Sequence, residues 1–193
     1  VHQARPHPGQ ALVAQRLRAI LSGSDILDSH EDCDRVQDPY SFRCAPQVHG
    51  AVYESYMRLG DMLHREINSA TDNPLIFPEP DNPGSHEVVS QGNFHGEIVA
   101  LTCDAMSLAL FELGSISERR MDQMLDPTRS GLPAFLASNS GLESGLMIVQ
   151  YAAGSSLSEL HGQCTPRTAF STSTSAGQED HVSMGATAAW NLY

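Results

Sequence analysis

Between Val36 and Gly50 an amide (Gln37), a carboxylate (Asp38), a phenol (Tyr40) and a guanidinium (Arg43) fall within seven residues. A guanidinium is a flat, permanently charged fork that matches the two oxygens of a carboxylate. A phenol beside it can donate a hydrogen bond or relay a proton. Pro39 and Pro46 forbid one continuous helix across the stretch. Pro46 suits an early helical position, where a missing N–H costs nothing. The expected geometry is a stiff loop entering a long helix, with Tyr40 and Arg43 near a helix start that welcomes an anion. The plainer reading is an Arg43–Asp38 ion pair with Tyr40 as a half-buried anchor.

The chain has 193 residues, 40% of them hydrophobic, which supports one sizeable core. Its formal net charge of -12 excludes a nucleic-acid backbone or an anionic membrane as the main partner, but not a small anion in a local field. No run of about 20 apolar residues is evident, so no membrane span is expected. Cys33, Cys44, Cys103 and Cys164 form no Cys-x-x-Cys pair, so free thiols in a cytoplasmic setting are expected. The nine histidines show no paired-ligand spacing, and no metal is expected.

Helices are expected over 10–22, where Val13, Leu17, Ile20 and Leu21 share a face, and from Pro46 to about Asn68. In the second, Val48, Val52, Tyr56, Leu59, Leu63 and Ile67 recur every three or four residues. Asn68–Pro74 breaks it, and Pro78–Ser85 reads as an exposed loop before a short extended Val88-Val89. A glycine-rich stretch, 90–97, opens an apolar helix that continues with interruptions to about 121. Residues 141–161 read as a helix whose Gly145, Ala152, Ala153, Gly154, Ser155 and Ser156 allow a tight crossing. Ser175 or Gly177 is expected to cap a last helix with Gln178, Glu179 and Asp180 in its first turn. No hairpin or internal repeat is evident. The class is all-α, a bundle of long helices with functional loops at helix starts.

Four stretches, Arg35–Cys44, Asn68–Leu75, Gln91–Glu97 and Gln178–Gly185, together resemble the histidine/aromatic amino-acid ammonia-lyase family. Ser115–Arg120 and Gly131–Leu136 fit it too, so the resemblance spans nearly the whole chain. It implies the ammonia-lyase fold, which is like that of fumarase and aspartase, with 1–193 as a single helical segment of a larger chain. It implies a homotetramer whose sites draw on several subunits and act on a small amino acid. It also implies an electrophile, 4-methylideneimidazole-5-one, made by cyclisation of an internal Ala-Ser-Gly. That tripeptide does not occur here, so the group is expected from a complementary N-terminal part. Elimination of ammonia needs such activation because the amine leaves poorly and the β-proton is weakly acidic.

By this resemblance Arg43 clamps the substrate carboxylate, and Gln37 is a polar neighbour. Tyr40 assists proton handling beside the electrophile, and Phe94 forms an aromatic wall. Glu179 receives the substrate ring. Histidine-specific members carry Glu there and members acting on phenylalanine or tyrosine carry Gln, so deamination of L-histidine to trans-urocanate is expected. A carboxylate can accept from an imidazole N–H, which a phenyl ring cannot offer. Each residue has a plainer role: core packing for Tyr40, a loop tie for Gln37, a helix staple for Phe94, a dipole-facing acid for Glu179. Ser158-Glu159-Leu160-His161 departs from the family's Ser-Glu-Asn-Lys. The alternatives are a non-catalytic helical remnant or assembly subunit, and an aromatic amino-acid lyase or 2,3-aminomutase.

Overall fold

A computed structural model describes residues 1–193. Helices α1 (Pro8–Ile20), α2 (Asp25–Asp28), α3 (Tyr40–Arg43) and α4 (Ala45–Glu66) are followed by strands β1 (Leu75–Pro78) and β2 (His86–Val89). Then come α5 (Glu97–Leu125), α6 (Pro127–Ser130), α7 (Met147–Gln163) and α8 (Gly185–Trp190), with single 3-10 turns between them. The chain forms two compact units. The first comprises 1–56 and 108–164, the second 57–107 and 165–193. Both α4 and α5 therefore contribute one part of their length to each unit.

In the first unit Pro8 begins α1 at a position where its missing donor is harmless. Gly23, at φ 71°, ends the segment in the left-handed region. The buried side of α1 is Gly9, Gln10 and Ala14, whereas Ile20 and Leu21 are exposed. The larger apolar residues expected to face the core are thus displaced by small ones. The reason is a close backbone crossing with α4. A Cβ on Gly9 would collide with the Gly50 carbonyl oxygen, and one on Gly50 with the Gln10 backbone. The Gly9 amide also donates to Glu54 Oε1 at 3.0 Å.

The small-residue face expected on α7 makes no such crossing: Gly154 has open space around it. The close approach uses Gly114 of α5, where a Cβ would lie 3.2 Å from Leu160 Cδ1. The His161 ring packs tilted against Phe111, the centroids 5.6 Å apart. Leu160 and His161, the departure from the family pattern, are therefore packing residues. Helix α7 also starts later than expected, because Gly141 and Gly145 adopt φ of 98° and 51° in a preceding turn.

In the second unit Ala100, Cys103 and Ala188 form a small core that Leu59, Val99 and Leu192 cover. Burial first, and the Asp104 carboxylate second, push the Cys103 thiol up. Asp104 is buried and accepts from Arg167 N (3.1 Å), Thr168 N (2.9 Å) and Thr168 Oγ1 (2.6 Å). Strands β1 and β2 pair antiparallel, Leu75 opposite Val89. This hairpin was not expected from the sequence, although the extended Val88-Val89 was.

Helix α5 runs 29 residues without interruption, longer than the sequence suggested. Contrary to the sequence reading, it is long and apolar enough to cross a membrane by length and composition, its most apolar 18 residues having a mean hydropathy of 1.5. Its buried Asp104 and Glu118 identify it instead as a bundle helix, since carboxylates are costly in lipid and Asp104 is fully used by protein donors. The accessible surface is 13612 Å², against about 9,000 Å² for a globular monomer of this mass. Much of the excess is apolar, including Tyr56, Ile67, Ile98, Leu101 and Tyr151.

The α1–α4 crossing gives a direct test. Gly50→Ala is expected to lose about 3 kcal/mol through overpacking against backbone, read as a lower urea midpoint with an unchanged m-value. Gly154→Ala, in open space, is expected to be neutral or slightly stabilising.

Candidate functional site

The expected site residues fall into two clusters. In the first unit Pro39 is the extended cap of α3, and its carbonyl accepts from Phe42 N and Arg43 N at 3.0 Å each. The Cys44 amide closes the turn onto Tyr40 O at 2.8 Å. This single turn sets the Arg43 guanidinium over the Tyr40 ring, 4.9 Å from its centroid. Tyr40 is 72% exposed, so it is neither core nor a half-buried anchor, and Arg43 pairs with the ring and not with Asp38.

Gln37, Tyr40 and Arg43 line one open cleft of about 480 Å³ together with Arg35, Asp38, Gln123, Thr128 and Arg129. Of its three guanidinium groups, that of Arg129 is spent on Asp122 (2.7 Å) and Asp126 (3.2 Å). Asp126 caps α6, and the Thr128 hydroxyl, ahead of its amide, holds this carboxyl below the usual range. Arg35 donates to the Arg129 carbonyl. Arg43 faces the cleft with no carboxylate of its own. A small anion entering the cleft therefore finds a stacked guanidinium, held at fixed orientation, with a phenol beside it.

Behind this turn lies a residue the sequence reading passed over. Arg120 Nη1 donates to Ser41 O at 3.2 Å and to His49 Nε2 at 3.0 Å, and its Nη2 to Ser117 Oγ at 3.2 Å. Burial, and then the Arg120 charge, lower the pKa of His49 from its ordinary value. Neutral His49 is what lets Nε2 accept.

The second cluster holds Phe94 and Glu179. Phe94 is 57% exposed, three residues ahead of α5, so it is a presented ring and not a helix staple. Glu179 lies outside any helix, which corrects the expected first-turn position: α8 begins only at Gly185. Ser175, Ala176 and Gly177 instead adopt φ of 52°, 58° and 86°, a conformation that costs about 1 kcal/mol or more at each non-glycine position. The turn folds Thr174 and Glu179 onto each other through a backbone bridge. Glu179 Oε2 then accepts from Thr174 Oγ1 at 2.6 Å and Ser175 Oγ at 2.8 Å. The Thr174 hydroxyl first, and that of Ser175 second, lower the Glu179 pKa. The result is a fixed, ionised carboxylate whose other oxygen is uncommitted.

The Phe94 and Glu179 segments are tied together. His95 Nε2 donates to the His181 carbonyl at 2.8 Å, and the Gly96 amide to Ser183 Oγ at 3.1 Å. The Asn73 side chain accepts from Gln91 N at 2.9 Å and thereby holds the Phe94 loop from the other side. Asn73 and Asp72 are thus turn scaffolding, as the sequence suggests. His95, Glu97 and His181 place ligand atoms within 4.8 Å of one another, a set able to hold a divalent ion, which spacing along the chain did not single out.

With this geometry in view, the sequence matches the family described as "Aromatic amino acid lyase" over residues 1–193. The chain belongs to the aromatic amino acid lyase family. It is 51% identical over 191 residues to histidine ammonia-lyase of Sorangium cellulosum, covering 98% of this chain and 37% of that protein. The crystal structure of histidine ammonia-lyase from Trypanosoma cruzi superposes with a TM-score of 0.83 at 50% identity, over 98% of this chain and 34% of that one. Phenylalanine aminomutase of Pantoea agglomerans gives 0.85 at 34% identity, over 100% and 40%. The chain thus spans a little over a third of the length of these lyase relatives.

Two measurements probe the clusters. The lowered pKa of His49 means that the unfolded chain takes up a proton first as pH falls. Its stability contribution is therefore complete above the ordinary histidine range, about 6.5. It is lost as pH falls below that range towards the folded-state value, and urea midpoints at pH 7.5 and 5.5 check this. For Glu179, replacing both hydroxyls (Thr174→Val with Ser175→Ala) is expected to raise the carboxyl back to the ordinary glutamate range, followed by carbon-detected NMR titration.

Proposed function

We propose that this chain is the part of a histidine ammonia-lyase that grips the substrate, in an enzyme converting L-histidine to trans-urocanate and ammonia. The observation that carries the reading is the fixed, ionised Glu179 with one free oxygen. A ring N–H is what such an acceptor discriminates, because a ring without a donor leaves the carboxylate desolvated and unpaired. This is also why the histidine substrate is favoured over the aminomutase reading, which the Pantoea relative shares in fold.

Arg43 receives the α-carboxylate as a charge-assisted fork, with Gln37 as a polar neighbour in the same cleft. Tyr40, its phenol exposed beside the guanidinium, orients the amino end and handles a proton there. Phe94 supplies an apolar wall that excludes water from the reacting centre. The presented phenol and phenyl ring fit the surroundings of 4-methylideneimidazole-5-one, which would come from an Ala-Ser-Gly outside these residues. When bound, that group supplies the electrophilic carbon that makes ammonia a competent leaving group. The uncovered apolar surface supports assembly with other subunits, as a homotetramer or with a complementary N-terminal part. Four unpaired thiols, Cys33 exposed among them, support a cytoplasmic setting.

The test is urocanate formation followed by its ultraviolet absorbance. The 193 residues alone are expected to give none, and the chain joined to the Ala-Ser-Gly segment to give turnover. In that complete form Arg43→Met is expected to lower kcat/KM about 100-fold, the roughly 3 kcal/mol of two charge-assisted bonds. Glu179→Gln is expected to cost at least about tenfold with histidine and nothing with phenylalanine. Histidine turnover unaltered by Glu179→Gln would sink the specificity assignment. No turnover in any assembled form would favour a non-catalytic subunit.

A further inference from the structure

We infer that Arg120 is a positioning residue for the Tyr40–Arg43 turn, held there by three acceptors that belong to three different helices. The consequence for catalysis rests on the carboxylate-clamp reading of Arg43, but the hold itself does not.

The four residues of α3 make barely one turn, so the carbonyls near its end have no partner within the helix. Ser41 is buried, which makes an unanswered carbonyl there costly. Arg120 answers it from 79 residues away in the chain, at 3.2 Å. The same Nη1 reaches His49 Nε2 on α4, and Nη2 reaches Ser117 Oγ on α5 itself. A guanidinium can do this because its donors diverge at fixed angles in one plane. The charge sits against a backbone oxygen and an uncharged ring, not against a carboxylate. It is therefore not a conventional ion pair, and its placement is explained by the turn it serves. Arg119, the neighbouring residue, points elsewhere and pairs with Glu118. With Ser41 pinned, Tyr40 and Arg43 on either side of it are fixed in the orientation that stacks one over the other.

The experiment is amide hydrogen exchange on this chain. Exchange at Arg43 and Cys44, whose amides close the turn, is expected to be at least tenfold faster in Arg120→Met. Amides in the middles of α1 and α7 are expected to be unchanged. Arg120→Lys, a flexible donor that reaches the Ser41 carbonyl, is expected to restore protection to within about threefold. Should Arg120→Met fail to fold, His49→Phe keeps a half-buried ring and removes one acceptor, and is expected to speed the same two amides at least threefold. Wild-type exchange at Arg43 and Cys44 in the variant that folds would overturn the inference. So would equal acceleration of every amide with no rescue by lysine. The clamp reading is tested separately, by the Arg43 Nε–H shift on adding imidazole-4-acetate to the chain joined to the Ala-Ser-Gly segment. A protected turn with no shift would defeat that reading and leave the role of Arg120 standing.

Discussion

A guanidinium and a phenol that must face solvent cannot be fixed by burying them, so they have to be fixed through the backbone that carries them. This constraint governs both clusters. Tyr40 and Arg43 ride on a four-residue turn whose buried Ser41 carbonyl accepts from Arg120. Glu179 rides on a left-handed turn closed by its own bonds to Thr174 and Ser175. In the first cluster the exposed groups are aimed by a hydrogen bond set back from the surface, whereas in the second the carboxylate and the hydroxyls that hold it are all exposed.

Helix α5 supplies much of that holding. Within the second unit, the Gly96 amide just before it takes Ser183, and its Asp104 takes the Arg167 and Thr168 amides. Within the first unit its Arg120 takes Ser41, and Asp122 takes Arg129 and Gln150. Buried polar groups on a helix this apolar would be a liability if unpaired. Paired with loop backbone, they convert an otherwise featureless apolar rod into a set of attachment points. Of the apolar positions between them, Ala100, Cys103, Met106 and Ile116 are buried, whereas Ile98, Leu101 and Leu108 stay exposed.

What could be read from the sequence follows the range of the interactions involved. Helices α4 and α5 were legible because a periodic pattern of 3.6 residues is local, and Pro46 marks its own helix position. Gln37, Tyr40 and Arg43 were legible because they lie together in the chain and stay together in the cleft. The β1–β2 hairpin was not, since Leu75–Pro78 and His86–Val89 are short, mostly exposed and free of alternation. The turn before Glu179 was misread because a Ser followed by Gln-Glu-Asp is the pattern of a helix start. Here both hydroxyls are drawn to the Glu179 carboxylate, and the backbone follows into the left-handed region. Arg120 was illegible as a site residue because nothing local says that an arginine late in a helix will meet a carbonyl 79 residues earlier.

The exposure of Tyr40 and Phe94 then becomes part of the functional argument. Removing a weakly acidic proton and expelling an amine both require a dry, preorganised site. A phenol and a phenyl ring open to water cannot provide one by themselves. The accessible surface exceeds that of a globular monomer by roughly half, and the excess is of the size that permanent subunit interfaces bury. On the proposed reading, this uncovered surface is what an electrophile-bearing partner segment would cover. In the proposed enzyme, assembly and the exclusion of water are therefore one event. On that proposal the chain would contribute a guanidinium fork and a ring acceptor held in orientation before that event, and the partner surfaces would supply the enclosure that makes them effective.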